Sequence, residues 1–324
     1  MCTAATYKTK DHYFGRNLDL EYSYDETVTV TPRNYPFRFR KVNDLMQHYA
    51  MVGMAYVVED FPLYYDATNE KGLSMAGLYF PGNAHYKPEV REMDNVATFE
   101  LIPWVLGQCG SISEVRVLLE HINIWNENFS RELPAMPLHW MVSDREETIV
   151  LEAVSDGLKI YDNPVGVLTN NPPFDFQMFH LSNYMNVSAG QAENRFSKEI
   201  DLKACSKGMG GLGLPGDLSS ASRFVKAAFT RLNSVSGDSE SESISQFFHI
   251  LGSVDQQRGC VRLENQLYEI TVYSSCCNTD KGIYYYTTYE NRQISGVDMY
   301  RENLDGRQLI CYPLIQNQQI YMQN

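Results

Sequence analysis

Over the first eighty residues the apolar positions fall into short runs with the two-residue period of a strand whose faces differ. Thr27-Val28-Thr29-Val30-Thr31 alternates as a half-buried strand should. Strands are also expected at 3–9 and 12–19, meeting at Lys10-Asp11, and at 49–58, 63–67 and 72–80. Pro32 and Pro36 bracket a turn. Asp60-Phe61-Pro62 and Asn69-Glu70-Lys71-Gly72 connect strands, and Pro81-Gly82-Asn83 ends the run.

The period then changes. Phe99, Leu101, Ile102, Val105 and Leu106 fit a helix ending near Gly107 or Gly110. Ser111-Ile112-Ser113-Glu114 is a capping-box pattern for a second, with Val115, Leu118, Leu119 and Ile122 as its apolar stripe. Residues 126–137 read as an irregular loop carrying Phe129, Leu133 and Met136, with Leu138 just beyond. A loop that apolar either folds over the core or lines a pocket. Strands resume at 138–142, 148–154, 158–161 and 165–169, with Asp156-Gly157 as a hairpin turn. Asn170-Asn171-Pro172-Pro173 stops the last of them and leaves Asn170 at a sheet edge.

The glycine-rich run 207–217 lacks the Gly-Lys-Ser/Thr ending of a phosphate loop and fits no dinucleotide fingerprint. It reads as backbone that passes close to something. A helix follows, capped by Ser219 or Ser220, with Phe224, Val225, Ala228, Phe229 and Leu232 on its buried face. Arg223 falls in its first turn, where a cation opposes the helix dipole by a few tenths to about 1 kcal/mol. It is either an exposed Arg with a carboxylate nearby or one aimed at a site. Residues 233–242 read as an exposed polar linker, 244–251 as a short helix, and 267–289 and 308–312 as strand. With strands at both ends and helices between, the terminal strands should share a sheet. That makes 1–324 a single α+β domain with helices outside layered sheets.

Composition narrows the function. The chain has 324 residues, 44% hydrophobic, with formal net charge −13. It has no basic tract, so nucleic acid or an anionic membrane is not the expected partner. No run of about 18 apolar residues exists to span a bilayer, and the N-terminus has no signal-peptide core. Cys2, Cys109, Cys205, Cys260, Cys276, Cys277 and Cys311 form no C-x-x-C pair, which suggests reduced thiols in the cytoplasm. The seven histidines have no metal-ligand spacing, so no metal or cofactor is expected.

The candidate chemistry lies at the start. Removal of Met1, plausible before a small residue, would leave Cys2 with a thiol and an α-amine on one carbon. Their ordinary pKa values are about 8.5 and about 7.7–8.0, so the amine can serve the thiol as base near neutral pH. Taken alone, a cysteine at position two carries little catalytic information.

Other motifs change that. Met-Cys-Thr at 1–3, Phe-Gly-Arg-Asn-Leu-Asp at 14–19, Asn-Glu-Lys-Gly-Leu at 69–73 and Gly-Val-Leu-Thr-Asn-Asn-Pro at 166–172 resemble the choloylglycine hydrolase family. So do Gly-Gly-Leu-Gly-Leu-Pro-Gly-Asp at 210–217, Ser-Arg-Phe-Val at 222–225 and Phe-Phe-His-Ile-Leu at 247–251. The family holds bile salt hydrolases and penicillin V acylases, and the resemblance, to the former above all, covers the whole chain. It implies an N-terminal-nucleophile hydrolase fold, an αββα sandwich, and a homotetramer. It also implies cleavage of the amide of glycine- and taurine-conjugated bile acids. Cys2 resembles the nucleophile, Arg16 the arginine beside it, and Asp19 the carboxylate that orients the Cys2 amine. Asn170 resembles the oxyanion-hole amide and Arg223 a second active-site arginine.

One position departs. Where bile salt hydrolases commonly read Gly-Leu-Asn-Phe-Pro-Gly, this chain has Tyr79 in place of the Asn, which resembles the penicillin V acylases. The second oxyanion donor is expected from the backbone N–H here, which Tyr79 still supplies; substrate preference is what the change affects. Leu18, Val58, Phe61, Phe129, Leu133 and Leu138 match family pocket positions or lie in the matching loops. Core packing explains Phe61 and Leu138 equally well. A penicillin V acylase is the alternative enzyme, and a non-catalytic binder of steroidal amphipaths the alternative outside enzymes.

Overall fold

The buried face of each strand decides the layering. β1 (Cys2–Lys8) and β2 (His12–Leu20) are buried on both faces along nearly their whole lengths, which requires cover on both sides. β3 (Thr27–Thr31), β4 (Met51–Val58), β5 (Phe61–Asn69) and β6 (Ser74–Tyr79) follow, then β7 (Asp94–Ala97). Helices α1 (Leu101–Gln108) and α2 (Ile112–Leu118) precede β8 (Ile122–Trp125), β9 (Leu138–Ser143), β10 (Thr148–Val154), β11 (Gly157–Asp162) and β12 (Val167–Leu168). Helices α3 (Phe174–Leu181), α4 (Ser220–Asn233) and α5 (Glu240–Gly252) lead to β13 (Ile270–Asn278), β14 (Ile283–Thr288), β15 (Ser295–Asp298) and β16 (Ile310–Pro313). This is a computed structural model; it describes residues 1–324, the side chain of Asn265 excepted.

Two antiparallel sheets stack face to face. The first runs β12-β1-β2-β13-β14-β15 and the second β11-β10-β9-β6-β5-β4-β3-β16. α4 and α5 lie on the six-stranded sheet, over β1, β2 and β13. α1 lies on the eight-stranded sheet, over β5 and β6, in a cluster shared with α2. The result is the αββα sandwich that the sequence motifs imply. Val28, Met54, Ala76 and Met141 of one sheet join Ala4, Phe14 and Tyr273 of the other in one apolar cluster. Burial at about 25 cal/mol per Å² of apolar surface drives this stacking. Gly15 lets β2 and β13 approach, since a Cβ there would lie 2.0 Å from the Ser275 carbonyl oxygen.

The terminal strands do share a sheet: β2 pairs with β13, placing Asn17 opposite Ser274 and Asp19 opposite Thr271. Several features differ from expectation, among them that Leu232 of α4 is exposed and Ile122 starts β8. α3 follows directly on Pro172-Pro173, because a proline at a helix start lacks only an N–H that would have no partner there. α5 begins inside the stretch expected to be linker, because Ser239 and Glu242 form a capping box. β7 and β8 form a two-stranded parallel pair that the alternation did not announce. The glycine-rich run is close-passing backbone, as expected; what Gly210 passes is this chain's own Gly190. No helix among the described residues is long and apolar enough to cross a membrane.

Candidate active site

Pairing of β1 with both its neighbours gathers the candidate residues. Cys2 starts β1, opposite Leu18 on β2, and Ala4 lies opposite both Arg16 and Leu168. β12 ends at Leu168, so Asn170 emerges beside the start of β1. There the Cys2 N–H donates to Asn170 Oδ1 at 2.8 Å. Asn170 Nδ2 donates in turn to the Tyr79 carbonyl oxygen at 2.7 Å, joining the two expected oxyanion segments.

The start of α4 supplies the rest. Asp217 accepts from the Ser219 N–H at 3.0 Å and the Ser222 hydroxyl at 2.6 Å. Those bonds pull its carboxyl down to about 2. Ser219 is the N-cap by position, but its side chain makes no capping bond. Ser220 Oγ accepts from the Asn170 N–H at 2.8 Å. Arg223 is buried and turns inward. Its Nη1 donates to the Cys2 carbonyl oxygen and to Thr3 Oγ1, both at 2.6 Å, and Nη2 to Asn170 Oδ1 at 2.8 Å. It lies 3.8 Å from Asp19 Oδ2. These charge-assisted bonds offset the small dipole cost of a cation in the first turn.

Charge in the site is buried and mutually dependent. Burial lowers Arg223, against the charges of Asp19 and Cys2. Burial raises the Asp19 carboxyl, against Arg223, the terminal amine and the Thr271 hydroxyl, which donates at 2.7 Å. Arg16 is fully buried too, and its Nη1 donates to the carbonyls of Tyr65 at 2.9 Å and Gly77 at 2.5 Å. Burial opposes its charge, but Cys2, Tyr273, Asp66 and Asp19 outweigh that and hold it above its ordinary range. Arg16 Nη2 and Asp19 Oδ2 are buried with no hydrogen-bond partner. In a native structure such atoms call for a partner or a function.

Sequence reasoning missed Asp66. Tyr273 and Tyr284 each donate to it at 2.7 Å, and Ser275 at 3.2 Å. Burial pushes its carboxyl up against Arg16 and these three donors. The strand alternation of Tyr273, Ser275 and Tyr284 was the available signal, but nothing in it singled out Asp66. Glu269 was also missed; with Met1 in place it pairs with the Met1 ammonium, which also donates to the Asp19 carbonyl oxygen at 2.6 Å.

The expected pocket residues are not all brought together. Leu18 is buried beside Cys2. Leu138 faces Tyr79 across β6 and β9. Val58 and Phe61 are cross-strand partners at the tip of β4 and β5. The Phe129 N–H donates to the Leu133 carbonyl oxygen at 3.0 Å, closing the 126–137 loop. Phe61 and Phe129, with ring centroids 6.0 Å apart, join Phe99 in an aromatic cluster. That cluster lines a cavity of about 790 Å³ with Phe39, Arg40 and Arg307. None of Cys2, Arg16, Asp19, Asn170 or Arg223 lines it.

A nucleophile, buried cations, an amide and a carboxylate at one strand end can carry out amide cleavage through a covalent intermediate. The comparisons agree. Residues 2–312 match the model for linear amide C–N hydrolases of the choloylglycine hydrolase family. A bile salt hydrolase/transferase of Lactiplantibacillus plantarum is 57% identical over 324 residues, the whole of both chains. One from Clostridium perfringens is 40% identical over 321 residues, 96% of each. Among solved structures, a mutant conjugated bile acid hydrolase from Clostridium perfringens superposes with TM-score 0.93 at 38% identity over all of both chains. A penicillin V acylase from Agrobacterium tumefaciens has the same fold, with TM-score 0.74 at 20% identity over 95% and 90% of the chains. This chain therefore belongs to the choloylglycine hydrolase family of linear amide C–N hydrolases.

Proposed function

We propose that this chain hydrolyses the amide joining a bile acid to glycine or taurine, with Cys2 as an N-terminal nucleophile exposed by loss of Met1. The observation that carries the reading is the hydrogen-bonded circuit of Cys2, Asn170, Arg223 and Tyr79. Full-length likeness to a bile salt hydrolase/transferase supports it.

With Met1 gone, the Cys2 nitrogen becomes an amine beside Asn170 Oδ1, and the buried Asp19 Oδ2, without a hydrogen-bond partner, is the carboxylate we assign to orient it. The amine takes the thiol proton, and the sulfur attacks the amide carbonyl. Charge on the tetrahedral oxygen falls to Asn170 Nδ2 and the Tyr79 N–H. Collapse breaks the C–N bond, and the amine's proton leaves with glycine or taurine. Water then attacks the thioester, giving the free bile acid and returning the proton to the Cys2 thiol. No metal or cofactor enters these steps. The same thioester can pass its acyl group to another amine, a reading favoured by the relatives' description as hydrolase/transferase.

Tyr79 is the one feature that favours phenoxymethylpenicillin as substrate. Its side chain is 40% exposed at the end of β6, where it can border the scissile bond. Turnover of glycocholate, taurocholate and penicillin V should be compared on protein whose mass shows Met1 absent. Faster cleavage of either bile salt is expected; preference for penicillin V would overturn the reading.

We further infer that residues 1–324 form one folding unit, since strands from both ends build one sheet. Four such chains would assemble into a homotetramer in the cytoplasm. The segment between α3 and α4 supports assembly: Met185 and Phe196 are each 83% exposed and Leu212 70%, more apolar surface than an isolated arm should show. Light scattering should give four times the chain mass, and a monomer mass would remove the tetramer. The seven free cysteines are in keeping with a reducing compartment.

A further inference from the structure

His139 and Glu152 form a fully buried pair that the steps above do not use. His139 lies on β9 opposite Leu78 of β6. Its Nδ1 is 3.0 Å from Glu152 Oε1, and its Nε2 is 2.7 Å from the Thr169 carbonyl oxygen. Glu152 Oε1 also accepts from the Phe174 N–H at 3.0 Å. The imidazole stacks on Phe80 with centroids 4.2 Å apart and planes at 5°.

These contacts determine where the protons are. A carbonyl oxygen can only accept, so Nε2 must carry a hydrogen. One further proton lies between Nδ1 and Oε1. The pair is then imidazolium with carboxylate, or imidazole with carboxylic acid. Both states are neutral overall, and both keep the Nε2–H donor on Thr169. An apolar pair of similar volume would fill this space without the desolvation cost of two ionisable groups. It could not supply that donor.

The location gives the pair a purpose. Thr169 immediately precedes Asn170, and Phe80 immediately follows Tyr79. His139 therefore grips, by one hydrogen bond and one stacked face, both segments that carry the oxyanion donors. Gln177 braces the same segment, donating to the Asn170 carbonyl oxygen at 2.8 Å. We propose that His139, held by Glu152, is a positioning residue that fixes the spacing between the Asn170 amide and the Tyr79 N–H. This rests on the reading of those two groups as the oxyanion hole.

Two variants test it. His139→Phe keeps a ring against Phe80 and removes the donor. Glu152→Gln must accept from Phe174 through its Oε1, and that oxygen cannot give His139 Nδ1 a proton. For glycocholate, kcat should fall about 10- to 100-fold in each, less than the roughly 10²–10³ for losing a donor outright. KM, and the rate at which iodoacetamide alkylates Cys2, should stay within about twofold. Alkylation forms a C–S bond as iodide leaves and creates no oxyanion, so it reports the nucleophile without the hole. An unchanged kcat would overturn the proposal, as would a fall in alkylation equal to the fall in kcat. Wild-type protein that alkylates normally but ignores glycocholate would instead refute the bile-salt reading, and the variants would then be compared on penicillin V. If neither variant folds, ¹⁵N NMR of histidine-labelled wild type decides: Nε2 of His139 should be protonated, and an unprotonated Nε2 would sink the proposal.

Discussion

Cys2→Ala is expected to lower bile-salt turnover by about 10⁴- to 10⁶-fold, the scale on which hydrolases lose rate with their nucleophile. The side chain is small and only 4% exposed, so its loss removes a sulfur and little packing. The Cys2 backbone bonds to Asn170 and Arg223 survive, because alanine keeps the same N–H and C=O. The melting temperature should therefore hardly move, and calorimetry should still detect substrate binding. That combination separates an enzyme from a binder of steroidal amphipaths. Glycine release within about tenfold of wild type would remove Cys2 as the nucleophile, since losing a nucleophile costs orders of magnitude more.

Asn170→Ala should be nearly as damaging, for two reasons. Its Nδ2 is the expected oxyanion donor, worth about 10²–10³ in kcat. Its Oδ1 accepts from both the Cys2 N–H and Arg223 Nη2, and its Nδ2 satisfies the Tyr79 carbonyl. Truncation leaves those buried groups without partners, each at about 1–3 kcal/mol. Asn170→Asp keeps an acceptor for Cys2 and Arg223 but replaces the amide donor with a carboxylate oxygen. Both variants should lose kcat by at least about 10²-fold, and both should lower the urea midpoint, since aspartate sets a carboxylate oxygen against the Tyr79 carbonyl. Should the aspartate variant keep wild-type kcat, the oxyanion assignment for Asn170 would be wrong.

Much of the site was legible because motif residues sit on strands whose pairing is local. Arg16 and Asp19 lie one hairpin from Cys2, and Asn170 is punctuated by two prolines. Arg223 stood out because a cation at a helix start runs against the dipole. Asp66, Glu269 and the pair of His139 with Glu152 were not legible. Each has an ordinary strand neighbourhood in sequence, and its meaning depends on partners from other strands. Tyr284 reaches Asp66 from 218 positions away. The apolar 126–137 loop reads as core cover or pocket wall. Phe129 serves a cluster with Phe61 and Phe99 beside a cavity, a placement no periodicity encodes. Helix α5 reads too short in sequence because a serine- and glutamate-rich first turn resembles a linker until its capping box forms.

The order of strands in the six-stranded sheet also sets a timetable for biosynthesis. β2 leaves the ribosome within the first twenty residues, yet its partner β13 begins at Ile270. About 250 residues of synthesis, at roughly 5–20 residues per second, separate the two by about 12–50 s. Through that interval the β1–β2 hairpin has only one of its flanking strands at most. Once β13 docks, Glu269 joins the Asp19 carbonyl in closing over the terminal amine. Under the proposed mechanism, the window for losing Met1 is therefore the one before β13 is in place.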